Sequence, residues 1–492
     1  MNLPLKRLNC VFVGGEWVKA SGAPEPVINP ATEEVIALTA TSGPAEVEAA
    51  VAAAREAFDR GPWPKMSPEE RAAKLYELHA ALMNRRAEIQ RLLVEEAGVT
   101  ASMLLAQFDM PMTLAMETLD EGGRNRDQPY GAGTVESRDG GRSFVGAMVR
   151  REPIGVVAAI TAYNFPFFLN VQKLFPALVT GNVVVLKPSI YTPLAALAVA
   201  EAAAEVGLAR GVLSVITGGR AIGEMLTVDP RVDLISFTGS DATGSAIMAQ
   251  GAATLKRLHM ELGGKSAMIV RPDADLDRAL AAGLGALGHS GQGCAAPTRH
   301  LVHNSVRRAY VERLAEAFRS MKVGDPADPS VTQGPLIREV VRGRTEAHVA
   351  DALAAGATLV AGGRRPPELR KGFFYEPTLF DDVDNGSRLA QEEVFGPVLA
   401  VIGFDTDEQA VEIANDSKYG LSGAIWSRDL AAAFDMACAI RTGGVSINGG
   451  GAPIGTPVIP FGGCKRSGFG REWGIEGLNA FTEQKSISFS QL

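Results

Sequence analysis

The sequence predicts an α/β protein built on two parallel sheets, with a small β element set apart from both. Three observations carry this. From 153 to 238, short apolar runs alternate with helical segments. A second alternation of the same kind runs from Lys265 to about 465, and two β-capable stretches, 126–149 and the chain end, fall outside both rhythms. Consecutive strands joined by helices pair in parallel, because a parallel pair needs a crossover connection. At 492 residues the chain exceeds what one core serves, and 46% hydrophobic content is enough to fill more than one.

In chain order, Pro44-Ala-Glu-Val-Glu and Ser67-Pro-Glu-Glu-Arg place a small or polar residue before an acidic first turn, which predicts surface helices across 44–106. Val156 to Ile160 then predicts a buried strand, Phe167 to Leu178 a helix and Val183 to Leu186 a second strand. The rhythm continues with a helix from Leu194 to Val206, a strand from Val212 to Ile216, a Gly218-Gly219 turn, a helix from Ile222 to Leu226 and a strand from Asp233 to Phe237. Ligands of such sheets bind beyond the carboxyl ends of the strands, so this half reads as a nucleotide-binding domain. The second half opens with a strand from Ser266 to Val270, a helix over 275–288, a strand from Arg299 to His303 and a helix over 306–320. Tyr130 to Val135, Phe144 to Val149 and Lys485 to Ser490 are short strands that need a sheet to join, and pairing between subunits is one solution. The expected division is 1–125 with 150–262, then 263–465, with 126–149 and 476–492 as oligomerisation strands.

Composition excludes several classes. A net charge of −8 with no long basic run argues against nucleic acid. The most apolar stretch, Val156 to Leu186, is broken by Asn164, Asn170, Gln172 and Lys173, so no membrane span of ~20 apolar residues is expected. The start has no apolar run that would form a signal peptide, and the expected location is cytoplasmic. Four cysteines without a CxxC pair predict neither a disulfide framework nor a metal site.

The chemistry-bearing motifs follow. Ser290-Gly-Gln-Gly-Cys294-Ala295 sets a cysteine among small residues. Packing is the usual role of a lone cysteine, but Gly-Gln-Gly ahead of it supplies access rather than packing. Glu261-Leu-Gly-Gly-Lys265 sets a carboxylate before a Gly-Gly turn, either a solvated charge or a general base. In Tyr163-Asn164-Phe165-Pro166 the amide follows a strand, either forming a turn or donating to an oxyanion. A formal GxGxxG match at Gly283 to Gly288 is rejected as a phosphate site, because it lies inside a helical segment instead of opening one after a strand. Phe237-Thr-Gly-Ser240 is the better candidate, and Lys187 ends a neighbouring strand.

Together YNFP, LKPS, FTGS, ELGGK, GQGC, EEVFGPV (392–398) and PFGGCKRSGFGRE (460–472) resemble, in order and spacing, the aldehyde dehydrogenase superfamily over essentially the whole chain. That resemblance implies a Rossmann-like parallel-sheet cofactor domain without the usual glycine fingerprint, a second α/β catalytic domain and a small β oligomerisation element. It implies Cys294 as nucleophile, Glu261 as general base, and Asn164 with the Cys294 backbone N–H as oxyanion donors. Lys187 would reach the adenosine ribose, Ser240 the pyrophosphate and Glu393 the nicotinamide ribose, while Phe395 would flank the nicotinamide. Ile160, Gly223, Phe237, Gly239 and Leu262 complete the implied cofactor site. The partners implied are an aldehyde and further copies of the chain, as a homodimer or homotetramer; the alternatives are a coenzyme A-acylating member and an inactive structural relative.

Two departures from the family pattern bear on specificity. Many NAD-preferring members have Glu where this chain has Ile190, so NAD is the expected cofactor and NADP stays open. Tyr163 and Cys464 replace residues that are commonly Trp and an aromatic, which predicts a roomy channel. Phe165, Phe167, Phe168, Leu169, Ala295, Ile454, Val458 and Ile459 come from segments expected to line it, and their uncharged character predicts an aromatic, terpenoid or medium-chain aliphatic aldehyde.

Overall fold

The computed structural model describes residues 5–124, 126–136, 138, 140–450 and 459–491. Its first sheet runs, edge to edge, through Glu16–Lys19, Cys10–Val13, Leu213–Val215, Val183–Lys187, Val156–Ile160, Leu234–Thr238, Arg257–Glu261 and Gly468–Phe469. From Leu213–Val215 to Arg257–Glu261 the strands are parallel. Every residue of Val156–Ile160, Val183–Lys187 and Leu234–Thr238 is buried, which is why their sequences read as unbroken apolar runs instead of alternating.

The helix Pro166–Val179 is buried along its length, with Gln172 the exception, because helices Pro68–Asn84 and Met110–Gly122 pack over it. The first of these starts with a reciprocal cap: Glu70 N–H donates to Ser67 Oγ at 3.2 Å, and Ser67 N–H to Glu70 Oε2 at 2.7 Å. Helices expected on the surface therefore carry one buried stripe each, for example Leu75, Leu78 and Leu82.

The second sheet orders Thr358–Ala361, Thr378–Asp381, Val398–Phe404, Arg299–His303, Ala267–Val270, Ser422–Trp426 and Gly444–Ile447, all parallel except the first pair. Two expectations need correction. The helix expected over 275–288 ends at Gly285, and the chain passes through a tight turn at Gly288–Gly291 with positive φ at His289, Ser290 and Gly291. The helix expected from 306 starts at Asn304, because the His303 side chain accepts from Ser305 N–H and caps it.

The strands without an evident home join one another within the chain. Thr482–Gln491 pairs antiparallel with Arg142–Pro153, which pairs with Gln128–Glu136. The central strand thus runs four residues past 149, and the terminal one spans ten residues. Among the described residues no helix is long and apolar enough to cross a membrane.

Candidate active site

The parallel strands of the first sheet end at Ile160, Lys187, Thr238 and Glu261, so four motif positions meet along one edge without any being close in sequence. Past Glu261 the chain turns through Gly263 and Gly264 into the second sheet at Ala267. Those glycines are required by approach, not by turning alone. A Cβ on Gly264 would stand 2.6 Å from the Cys294 carbonyl oxygen, and one on Gly263 would stand 2.2 Å from Glu393 Oε2.

Cys294 follows the turn at Gly288–Gly291, where three successive residues sit in the left-handed region (φ +52°, +56° and +70°). Such backbone persists only where its surroundings over-determine it. Here Ser290 Oγ donates to Gly334 O at 2.5 Å, Gln292 Nε2 to His289 O at 3.1 Å and Ile337 N–H to Gln292 Oε1 at 3.0 Å. A Cβ on Gly291 would lie 2.1 Å from the Gly396 carbonyl oxygen, so the loop that carries Cys294 presses against the EEVFGPV segment. Burial, then the carboxylates of Glu393, Glu261 and Glu472, push the Cys294 thiol up to about 12. The thiol therefore holds its proton until a base or a positive charge changes its surroundings.

Asn164 is buried, and its Nδ2 donates to Gln292 O at 2.7 Å, two residues before the cysteine. An amide nitrogen carries two N–H groups, so this bond aligns the side chain and leaves the second N–H for a ligand. Glu261 is buried with neither oxygen hydrogen-bonded among the described residues. Burial, reinforced by Glu472, raises its carboxyl well above the ordinary value, while Lys173 and Arg471 pull the other way. Glu472 accepts from Lys173 Nζ at 2.9 Å and from Gln172 Nε2, and Lys173 also donates to Ser236 Oγ at 3.1 Å. The roles of Glu472 and Lys173 were not anticipated. One signal was legible: a lysine inside an otherwise apolar helix requires a buried partner.

A cavity of about 340 Å³ opens over Cys294, Asn164 and Glu261. Phe165, Phe168, Leu169 and Gln172 form one wall at the three- and four-residue spacing of a helix face. Ala295, Met103, Met110, Phe461 and Trp473 also line it. Three channel expectations change. Phe167 points away and stacks on Phe108 with ring centroids 4.9 Å apart. Ile459 is exposed and does not line the cavity, while Phe461, tied to Glu472 by a backbone bridge, does. Cys464 pairs with Gly420 away from the cavity, so its small size adds no room there. Ile454 and Val458 lie outside the described residues.

On the other side of the strand ends, Ile160 pairs with Lys187 and with Phe237 in the sheet register. Lys187 is buried, its Nζ donates to the Pro188 carbonyl oxygen at 3.3 Å, and burial lowers its ammonium to about 8. Gly223 leaves space beside it, since a Cβ there would lie 3.6 Å from Lys187 Cε. Ser240 Oγ caps the helix Asp241–Gly251 by accepting from Thr243 N–H at 3.3 Å. Gly239 N–H donates to Glu261 O at 3.1 Å, and the Leu262 side chain lies against Gly244. Glu393 accepts from Gly264 N–H at 3.0 Å, and burial raises its carboxyl to about 7. Phe395, at φ +56°, meets Tyr163 edge-on at 5.9 Å. The Lys187 ammonium, the N-terminus of the helix Asp241–Gly251 and the Glu393 carboxylate are groups that fit the ribose hydroxyls and phosphates of a dinucleotide.

Fold and site together fit the class of dinucleotide-linked oxidoreductases. The family model for the aldehyde dehydrogenase family matches residues 17–487. A betaine aldehyde dehydrogenase of Bacillus subtilis (strain 168) is 38% identical over 488 residues, covering 97% of this chain and 96% of that protein. Among solved structures, betaine aldehyde dehydrogenase from Staphylococcus aureus in complex with NAD+ superposes with a TM-score of 0.92 at 34% identity, covering 99% and 95% of the two chains. A Mycobacterium tuberculosis aldehyde dehydrogenase complexed with NAD+ gives 0.90 at 42% identity, covering 97% of each. The chain belongs to the aldehyde dehydrogenase family.

Proposed function

We propose that the protein oxidises an apolar aldehyde to the carboxylic acid with NAD, through a thiohemiacetal and then a thioester on Cys294, with Glu261 as the base for hydrolysis. The observation that carries this reading is the pair of unbonded Glu261 oxygens beside the same cavity as the thiol. Lys187, Gly223, Ser240, Glu393 and Phe395 would hold the cofactor, which when bound supplies a cationic nicotinamide ring that accepts hydride.

The steps follow from the residues. The Cys294 proton passes through water to solvent, and the sulfur attacks the aldehyde carbon. The carbonyl oxygen becomes an oxyanion held by the free Asn164 N–H and the Cys294 backbone N–H, each donor worth roughly 3 kcal/mol in such sites. The aldehyde hydrogen leaves as hydride and the carbonyl reforms as a thioester. Water then attacks that carbon while its proton passes to Glu261, and the thiolate leaves. A carboxyl raised by burial is a stronger base once ionised, which suits this second step.

The cavity wall supports an uncharged substrate: Phe165, Phe168, Leu169, Met103, Met110 and Ala295 offer no charge, and Glu472 is already paired with Lys173. One observation favours a second reading. The rings of Phe165, Phe168, Phe461 and Trp473 share the cavity, and rings attract quaternary ammonium groups of the kind that the betaine aldehyde relatives' names imply. Comparing kcat/KM for octanal, benzaldehyde, betaine aldehyde and succinate semialdehyde, each with NAD and with NADP, separates the two. The apolar reading requires octanal or benzaldehyde to lead. Acid release without added thiol supports hydrolysis; a requirement for coenzyme A would assign an acylating enzyme, and absence of any NADH with all four would assign an inactive relative. Ile190, whose Cδ1 lies 3.7 Å from where a Cβ on Gly219 would stand, supplies no charge to repel a 2′-phosphate.

The proposed division into a cofactor unit (1–125 with 150–262) and a catalytic unit (263–465) rests on the two sheets. The sheet of Gln128–Glu136, Arg142–Pro153 and Thr482–Gln491 exposes Tyr130, Val135, Phe144 and Phe489, which supports a homodimeric or homotetrameric assembly through it.

A further inference from the structure

The helix Met110–Gly122 is entered through one π-helical turn, Leu105–Asp109, and that turn carries a fully buried glutamine, Gln107. Its Nε2 donates to the backbone carbonyl oxygen of Asn164 at 2.9 Å, across 57 residues of sequence. A carbonyl oxygen only accepts, so the amide orientation is set by its partner. The other end, Oε1, is buried and has no hydrogen-bond partner among the described residues. A side chain kept only for packing gains nothing from such an orphan acceptor, and leucine would fill the space without it. A π-turn inserts one residue into the helical repeat and re-aims the side chains around it, a device concentrated at functional sites. Here it turns Gln107 inward while its neighbours Ala106 and Met110 line the aldehyde cavity and Leu105 is exposed.

We propose that Gln107 is a positioning residue for the oxyanion donor, a role that rests on reading Asn164 as that donor. The Asn164 side chain is held from two directions: Nδ2 is tied to Gln292 O on the nucleophile loop, and the backbone of the same residue is tied to Gln107. Asn164 Oδ1 has no partner among the described residues, so the alignment of its free N–H rests on the Nδ2 bond and on the backbone, which Gln107 and the His289 ring both meet. Without Gln107, the strand-to-helix connection at Ala162 to Phe165 keeps the Gln292 bond, the His289 contact to the Asn164 backbone and the Thr192 bond to Tyr163 O, but loses the bond that reaches the Asn164 carbonyl oxygen from the π-turn. The donor would then meet the developing oxyanion at a distance or angle where its stabilisation is weaker, although the aldehyde and cofactor would bind as before. Because the clamp and part of the cavity wall belong to one turn, substrates that pack against Ala106 and Met110 would sense its loss most.

The test is the pre-steady-state burst of NADH in the full-length enzyme carrying Gln107→Leu, Gln107→Met or Gln107→Glu, each alone and combined with Asn164→Ala. Gln107→Leu and Gln107→Met should lower the burst rate constant about 10- to 100-fold, while aldehyde KM and cofactor Kd stay within about twofold, an acylation loss below that of removing an oxyanion donor outright. Gln107→Glu keeps length and shape but replaces the donor with an acceptor, so it should lose the rate as well. In the Asn164→Ala background none of these changes should cost more than about twofold further, since residues acting as one unit are not additive. Additive losses, or equal losses in burst rate and cofactor Kd, would mean that Gln107 merely supports the fold and would overturn the proposal. If Asn164→Ala itself leaves the burst intact, the oxyanion reading fails. If Asn164→Ala slows the burst and all the Gln107 variants that fold do not, only the Gln107 proposal fails. Should Gln107→Leu not fold, Gln107→Met and Gln107→Glu decide between these outcomes.

Discussion

Two glutamates, Glu261 buried and Glu393 half-buried, raise the Cys294 thiol, and they are chemically the same residue put to different use. Glu393, in the loop before the strand Val398–Phe404, has one oxygen bonded to Gly264 N–H and its carboxyl raised to about 7. Glu261, at the end of a strand of the first sheet, has no hydrogen bond on either oxygen among the described residues and is raised further by the charge of Glu472. A carboxylate that is already bonded is held in place and suits recognition. One that is desolvated, unbonded and pressed by a second carboxylate suits proton transfer. The difference lies in the neighbours: a backbone N–H for one, and the Glu472–Lys173 pair for the other.

The largest effect should come from removing what both glutamates surround. Cys294→Ala should abolish the NADH burst and steady turnover together, measured by stopped-flow fluorescence; any residual burst would mean that another group attacks the aldehyde. Next, Glu261→Gln should keep the burst and reduce steady-state turnover about 10²- to 10⁴-fold, the span usual for a positioned base. Equal loss of both phases would instead place Glu261 in thiol activation.

Breaking the buried pair beside Glu261 should show in stability and in pH dependence. Lys173→Met and Glu472→Gln each leave one charge unpartnered in the interior and should cost roughly 3–5 kcal/mol in denaturant titrations. Their effects on the pH profile have opposite signs. The ionised form of Glu261 accumulates as pH rises through its raised value, so deacylation should increase over that range. Glu472→Gln removes a repelling negative charge and should move the acid limb of kcat to lower pH, whereas Lys173→Met removes an attracting positive charge and should move it higher. Shifts in the same direction would show that the pair does not tune Glu261.

The smallest effect is expected at Glu393. Glu393→Gln should raise the cofactor KM about tenfold, the scale of one charge-assisted hydrogen bond, with little change in burst amplitude. It should also flatten the stability profile. The folded state binds the Glu393 proton between 4.5 and about 7 and the unfolded chain does not, so stability from this group falls as pH rises through that window. Thermal melts of the cofactor-free protein at pH 5 and pH 7 would read this, and an unchanged slope in the variant would remove Glu393 as its source.

Much of the site was legible in linear form because each piece is a short motif carried by a strand end or a turn. Asn164, Lys187 and Glu261 all lie at or just beyond the ends of apolar runs, where parallel-sheet ligands bind. The apolar helix Pro166–Val179 announced its own burial. What stayed hidden depends on contacts between segments that no local pattern reports. Lys173 meets Glu472 from 299 residues away, and Gln107 reaches Asn164 through a π-turn that no apolar periodicity reports. Ile459 and Phe461 lie two residues apart, yet one is exposed and the other lines the cavity, an outcome set by the bridge of Phe461 to Glu472.

The sequence by itself determined the fold class and the family and singled out Cys294, Glu261 and Asn164 as the candidates for the chemistry, because local apolar patterning specifies strands and helices and because glycine is required wherever two backbones must touch. Only the tertiary structure decided which carboxylate is bonded and which is not, that its surroundings raise the Cys294 thiol further, and which side chains line the cavity. Burial and the distances between charges set proton affinities, and neither exists until the two sheets have closed around the same cavity.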